Sequence, residues 1–297
     1  MKFDLPWSKL WVVGLAQNCE EHLPAVLANI EALSKKFRSA QVLIFENDST
    51  DKTVDVIKYF VNHDFYLQAT SFKGLNERIP VKTLRLAHLR NGLMDWLRQH
   101  RAFTADNLVL VLDLDNVNSL QWNLDDFDRV LCWFAGVPSA AGVFANQLGP
   151  YYDLWALRHS VYCKDDIWEN LMRFKLSNPS LDSNQLYDLV VKPRQLNFKL
   201  NQSPFEVVSA FGGLGFYKGE WLACQQSQYC GETTLLIKQK QKTNLVRWQI
   251  AEHVNFNIGL RAAGASLWIH PALINWNTID VAHGLNLNPE SWRHMAF

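Results

Sequence analysis

Asp113-Leu114-Asp115 directly follows the apolar run LVLVL, and acids two apart on an extended backbone project from one face. Paired carboxylates at a strand end offer hard oxygen donors to a divalent cation of the kind that accompanies phosphate groups; the alternative is two solvated acids at a strand terminus. A second polar segment, Glu46-Asn47-Asp48-Ser49-Thr50-Asp51-Lys52-Thr53, also closes an apolar run and opens a helical pattern. Thr50 or Asp51 suits the helix cap, whereas Glu46, Asn47 and Asp48 exceed what a cap needs and can accept from base and ribose groups near an electropositive helix terminus. Arg85 and Arg90-Asn91 share one helical segment. A guanidinium fork facing a crevice matches a diphosphate, and both arginines equally suit a surface.

The elements that position these residues alternate in type. Trp11 to Ala16 (WVVGLA), Gln41 to Glu46 (QVLIFE) and Leu108 to Leu112 are buried-strand runs, separated by helical spacing over 22–37, from about Val54 to Phe60, and over 82–99. Apolar strands alternating with helices predict a doubly wound, Rossmann-like α/β fold with a mostly parallel central sheet flanked by helices. Ligands of such sheets sit beyond the carboxyl ends of the strands, which is where the polar segments fall. The second half is less regular: strands are expected over 140–145, 205–217 with a Gly-Gly interruption, and 266–270, with helices over 165–175 and 251–263. The stretch 177–203 reads as a polar, exposed loop.

The 297 residues carry 29 Lys+Arg against 29 Asp+Glu, with 48% hydrophobic and 12% aromatic residues. That balance argues against a nucleic-acid partner and against disorder. No apolar stretch reaches the length of a membrane span, so any membrane contact is expected to be peripheral. The five cysteines, without paired spacing, read as reduced thiols and point to the cytoplasm, with peripheral contact at the inner face of a membrane in keeping with this. Twelve tryptophans are a surplus over the needs of a core.

In linked order, a strand ending near Asn18, a strand followed by ENDSTDKT, then RLAHLRN, then a strand followed by DLD resemble the nucleotide-sugar domain of GT-A fold glycosyltransferases. The chain is most similar to the capsule-associated fungal mannosyltransferase group and its bacterial and viral relatives. The likeness continues through YYDLWALR (151–158), SAFGGLGFY (209–217) and Glu252-His253-Val254 ahead of SLWIHP. It departs at Lys52, where the family's turn carries glycine.

The resemblance implies one catalytic domain over 1–297, with a nucleotide-sugar half over about 10–118 and an irregular acceptor-side half over 119–297. It implies that Ala16, Asn18, Glu46 and Asp48 meet the nucleotide, and that Arg90, with Arg85, meets the nucleotide or its phosphates. It sets Asp113 at the ribose and donor sugar and within the metal site, and Asp115 on a Mn²⁺ or Mg²⁺ ion. His283 is the candidate to complete that metal shell, with His253 in reserve. Asp153, Glu252 and His253 fall at the sugar. Glu252 opens an amphipathic helix, where an inverting enzyme keeps its general base; a retaining enzyme would use it to orient donor or acceptor. Gly212 and Gly213 let backbone approach the sugar, or form a turn. Among Trp155, Trp221, Trp248, Trp268, Trp276 and Trp292, one or two are expected to face a glycan.

The expectation is therefore a metal-dependent hexosyltransferase acting from a UDP- or GDP-sugar on a glycan acceptor in surface polysaccharide synthesis. A sugar-nucleotide nucleotidyltransferase shares the sheet and acids but normally carries a glycine-rich basic loop after its first strand, where this chain has GLAQNCEEHLP. A catalytically silent glycan-binding domain would not depend on Asp115.

Overall fold

The computed structural model describes residues 5–63, 66–224, 226–239 and 242–278. In chain order the elements are β1 Lys9–Ala16, α1 Leu23–Ser34, β2 Ser39–Asn47, α2 Thr53–His63, β3 Leu67–Phe72, α3 Leu75–Arg78, α4 Lys82–Gln99 and β4 Asn107–Asp113. Then follow α5 Leu124–Ala135, β5 Ala140–Leu148, α6 Ile167–Ser177, α7 Ser183–Leu186, β6 Phe205–Val207, β7 Leu214–Lys218, α8 Gly219–Ala223, β8 Glu232–Gln239, β9 Lys242–Gln249, α9 His253–Ala262 and β10 Ser266–Asn277.

Eight strands form one sheet in the order β3-β2-β1-β4-β7-β5-β10-β6. β1 runs parallel to β2 and β4, β2 parallel to β3, and β5 parallel to β10; β7 is antiparallel to β4 and β5, and β6 antiparallel to β10. This is the mostly parallel sheet flanked by helices that the apolar runs predict. Strands from both halves of the sequence interleave in it, since β7 inserts between β4 and β5.

Strand alternation divides the core. Trp11, Val13, Val109 and Val111 face a cluster shared with Ala87, Leu93 and Leu97 of α4 and Val254 and Leu260 of α9. Leu10, Val12, Leu108, Leu110 and Leu112 face α1 and α5 on the other side. Both faces are covered, which is why these strands read as unbroken apolar runs.

Two expectations differ from the structure, and one pair of strands has no counterpart among them. The segment 205–217 is two strands, not one: the paired glycines turn the chain between β6 at the sheet edge and β7 at its centre. The segment 177–203 is not a simple exposed loop. It holds α7, a π-helical turn at Tyr187–Val191 and a 3₁₀ turn at Lys192–Arg194, and it buries Leu186, Val190, Val191 and Phe198. Those four fall on the inward side, while Leu189 and Leu200 stay exposed. Finally, β8 and β9 form a separate hairpin whose Trp248 packs on Met172 of α6.

Candidate active site

The carboxyl ends of β1, β2 and β4 converge with the start of α9. Asp113 ends β4 and shares the alternation of Val109 and Val111, which turns its side chain toward α4. Leu114 between the two acids is buried and lies so close to Gly14 that a Cβ there would come within 2.8 Å of its Cγ. The backbone stays extended at Asp115 (φ −104°, ψ −162°), so Asp113 and Asp115 remain on one side although the strand itself has ended. Asp115 Oδ1 also accepts from Val117 N at 3.2 Å, capping a 3₁₀ turn at Asn116–Asn118. Desolvation by the surrounding chain, then the charge of Asp113, push the Asp115 carboxyl up to about 6, although its outer side is open to solvent. Lys82, exposed at the start of α4, acts in the opposite sense.

Arg90 occupies an inward position of α4, in register with Ala87, Met94 and Leu97, and is 2% exposed. Its Nη2 donates to Asp113 Oδ1 at 2.7 Å and its Nε to Glu252 Oε1 at 2.8 Å. Burial opposes the charge, but the two carboxylates more than offset it and raise the pKa further, so Arg90 is a permanent cation. The resemblance places Arg90 on the nucleotide phosphates; here its side chain lies beneath the cleft between two acids. Arg85 donates to the carbonyls of Ile79 and Pro80 at 2.8 and 3.3 Å, with burial lowering its pKa, so it braces the turn before α4 and makes no bond to the site's carboxylates.

Glu252 is the N-cap residue of α9 and is buried. His253 beside it is buried too, with neither ring nitrogen hydrogen-bonded. Its ring stacks on Phe211 at 3.7 Å, and desolvation followed by the Arg90 charge holds its pKa well below the usual value. His253 is thus a packed imidazole beneath the site, with its Nε2 3.5 Å from Glu252 Oε1.

Asp153 Oδ2 accepts from Gly212 N at 2.9 Å and Oδ1 from Ala156 N at 3.1 Å. Burial raises its carboxyl to about 6 against the effect of those two amides. Asp153 thus holds the glycine turn in place. Gly212 and Gly213 have φ of +67° and +79°, and Gly213 O accepts from Asp113 N at 2.9 Å and from Asn118 Nδ2 at 2.8 Å. Gly212 O accepts from Asn275 Nδ2 at 2.8 Å and Gln147 Nε2 at 3.2 Å. Sequence reasoning missed this buried network of Asn118, Gln147 and Asn275. Their signal was amides at the ends of otherwise apolar strands and turns. A Cβ on Gly213 would stand 2.6 Å from Val117 Cγ2 and 2.8 Å from Tyr152 Oη, in a backbone conformation that disfavours side chains. Gly213→Ala is therefore expected to cost about 3 kcal/mol, read as a Tm drop of several degrees, because strain and overpacking coincide there.

At the nucleotide end, Glu46 accepts from Ser49 N at 2.8 Å and from Ser71 Oγ; Asp48 Oδ2 accepts from Asn76 N at 2.6 Å. Amides of Asn76 and Gly74 outweigh desolvation and hold the Asp48 carboxyl below its ordinary value. Asn18 Oδ1 accepts from Thr50 N at 2.7 Å, and Asn18 and Asp48 both have positive φ (50° and 49°). Ala16 is buried at the end of β1. These residues stand together around the strand ends, and the Asn18–Thr50 bond ties the loop after β1 to the loop after β2. Of the tryptophans, Trp276 packs edge-on to Tyr152 at 5.5 Å, beside Gly213. Trp248 is core, Trp155 packs on Trp168, and Trp268 packs on Trp133.

Among the described residues no group of three or more His, Cys, Asp or Glu side chains comes together to hold a metal ion, and His283 lies outside those residues. Asp113 and Asp115 nevertheless fit a Mn²⁺ or Mg²⁺ of the kind bound by one or two carboxylates plus substrate phosphates, since both are hard donors whose mutual repulsion a cation would relieve. No helix among the described residues is long and apolar enough to cross a membrane.

No family model and no curated protein matches the chain. Solved structures do. A mannosyltransferase from Pyrobaculum calidifontis, in complex with GDP-Man and Mn²⁺, is 13% identical over 90% of this chain and 56% of its own, with a TM-score of 0.46. Glucosyl-3-phosphoglycerate synthase from Mycobacterium tuberculosis, in complex with UDP, is 12% identical over 91% and 69%, with a TM-score of 0.39. S. aureus TarS 1–349 is 12% identical over 88% and 57%, with a TM-score of 0.43. The chain thus spans little more than half the length of the first and third of these proteins.

Proposed function

We propose that the chain is a GT-A type, metal-dependent glycosyltransferase that transfers a hexosyl residue from a UDP- or GDP-sugar to a glycan acceptor, in the cytoplasm and in the service of surface polysaccharide synthesis. The observation that carries this reading is the convergence, beyond the carboxyl ends of a mostly parallel sheet, of a metal-type acid pair with a third acid on the N-terminus of a facing helix. A sheet of this kind takes its ligand at that edge.

The chain's own residues divide the work. The loops held by Asn18, Glu46 and Asp48 border the base and ribose. Asp113 and Asp115 hold the cation, which supplies neutralisation of the charge that develops on the departing diphosphate, and Lys82 adds positive charge at the exposed lip. Glu252 accepts the proton of the acceptor hydroxyl as that oxygen attacks the anomeric carbon, in an inverting transfer. The Gly212–Gly213 turn keeps the wall beside the sugar free of side chains, and Trp276 with Tyr152 offers an aromatic edge to the acceptor.

A panel of UDP- and GDP-sugars incubated with the protein and Mn²⁺ is expected to yield nucleoside diphosphate through slow transfer to water, with one donor preferred. Release should cease on chelation with EDTA and return with added Mn²⁺. Silence across the panel, together with no thermal shift from UDP or GDP, would overturn the enzymatic reading and leave a glycan-binding domain.

A further inference from the structure

Arg90 is a buried cation bonded to two carboxylates that lie 23 and 162 positions away in sequence. Stability does not explain it. A buried ion pair or triad is commonly matched or bettered by apolar side chains of the same volume, because desolvation consumes the Coulombic gain. This one is also incompletely satisfied: Arg90 Nη1 and the Tyr229 hydroxyl have no hydrogen-bond partner, and His253 Nε2, packed beside them, stands 3.5 Å from Glu252 Oε1 without a hydrogen bond. Asp113, by contrast, keeps 29% of its side chain exposed to the cleft. The trio therefore costs the fold something and reaches the site.

Its surroundings are built to prevent movement. The guanidinium lies 4.9 Å over the Phe211 ring, which also stacks on His253. Asn91, the next residue of α4, exchanges two hydrogen bonds with the backbone of Tyr229 at 3.0 and 2.9 Å. Cys230 N in turn donates to Glu252 O at 3.3 Å. Helix α4 and the start of α9 are thereby clamped on both sides of Arg90.

We propose that Arg90 is a positioning residue for transfer: by holding Asp113 with one nitrogen and Glu252 with another, it sets where the acceptor-side base stands relative to the donor floor. The inference rests on the reading of Glu252 as the base. The planar fork matters because its two N–H groups point in fixed directions, whereas a lysine ammonium keeps the charge without that geometry.

Arg90→Lys tests the geometry and Arg90→Met the charge. With the preferred sugar nucleotide, Arg90→Lys is expected to lower kcat about 100-fold, the scale of an ångström-sized misplacement, while the Kd of UDP or GDP with Mn²⁺ changes less than about threefold. In the Glu252→Gln background the same substitution should cost less than about threefold more, because groups acting as a unit are non-additive. A Kd that weakens in step with kcat, or a double variant showing the full product of the single losses, would overturn the proposal. A crystal structure of Arg90→Met, whose apolar side chain suits the buried position, supplies a readout independent of turnover. Displacement of the Glu252 carboxylate by about 1 Å or more, on the scale that matters for reactivity, supports the proposal, and an unmoved carboxylate defeats it. A wild-type protein that turns over no sugar nucleotide defeats the functional reading, and the crystallographic comparison still decides what Arg90 holds.

Discussion

Asp115→Ala is expected to abolish turnover of every sugar nucleotide while leaving the protein folded. The side chain is exposed, and its one hydrogen bond caps a three-residue 3₁₀ turn, so its removal should cost about 1 kcal/mol, in the range of a lost helix cap. The chemical loss is far larger. A cation held by two carboxylates contributes several kcal/mol to the departure of a diphosphate, equivalent to a loss of about 10³-fold or more. Among the described residues only Asp113 would remain, and one of its oxygens is already engaged by Arg90 at 2.7 Å. The measurement is release of nucleoside diphosphate alongside calorimetric titration of Mn²⁺ with UDP or GDP, and both signals should vanish together. Asp115→Ala retaining more than about a tenth of the rate would show that the acid pair is a solvated strand end after all. The contrast with Gly213→Ala is informative, since that variant should lose stability first.

What was readable in the sequence follows from burial. Strands covered on both faces must be apolar at every position, so β1, β2 and β4 stand out as runs, and the polar residues that close them mark the ligand edge. β3 was not readable, because LQATSF at the sheet edge exposes most of its side chains and carries no comparable run. The split of 205–217 was hidden for a different reason: two glycines of positive φ reverse the chain, and nothing local says that β7 then enters between β4 and β5. The polar residues expected at the strand ends stand together there, whereas the pairing of Arg90 with Glu252 was not legible. Yet a clue was present. An arginine at an inward position of an apolar helical stripe, with Ala87, Met94 and Leu97, must find buried acids or remain unpaid in desolvation, and a cleft arginine would sit off that stripe.

Glu252→Gln is the second large effect, and it separates two chemistries. The variant keeps the shape of the side chain and an oxygen for the Arg90 Nε donor, now 2.8 Å from Glu252 Oε1, so α9 should stay in place. It removes the proton acceptor. Loss of a general base is expected to lower kcat with a glycan acceptor about 10²–10⁴-fold, with the Kd of the nucleotide nearly unchanged because Glu252 touches no residue of the nucleotide loops. Asp153 is another buried carboxylate of the site, but its oxygens are bound to the amides of Gly212 and Ala156 at 2.9 and 3.1 Å and it holds a turn, so it should not rescue. Product analysis by NMR completes the test. An inverting enzyme needs the base, and a drop of at least about 100-fold should accompany inversion at the anomeric carbon. A drop below about tenfold with retained configuration would assign Glu252 to orienting the sugar, leaving the acid pair and its cation as the core of the reaction.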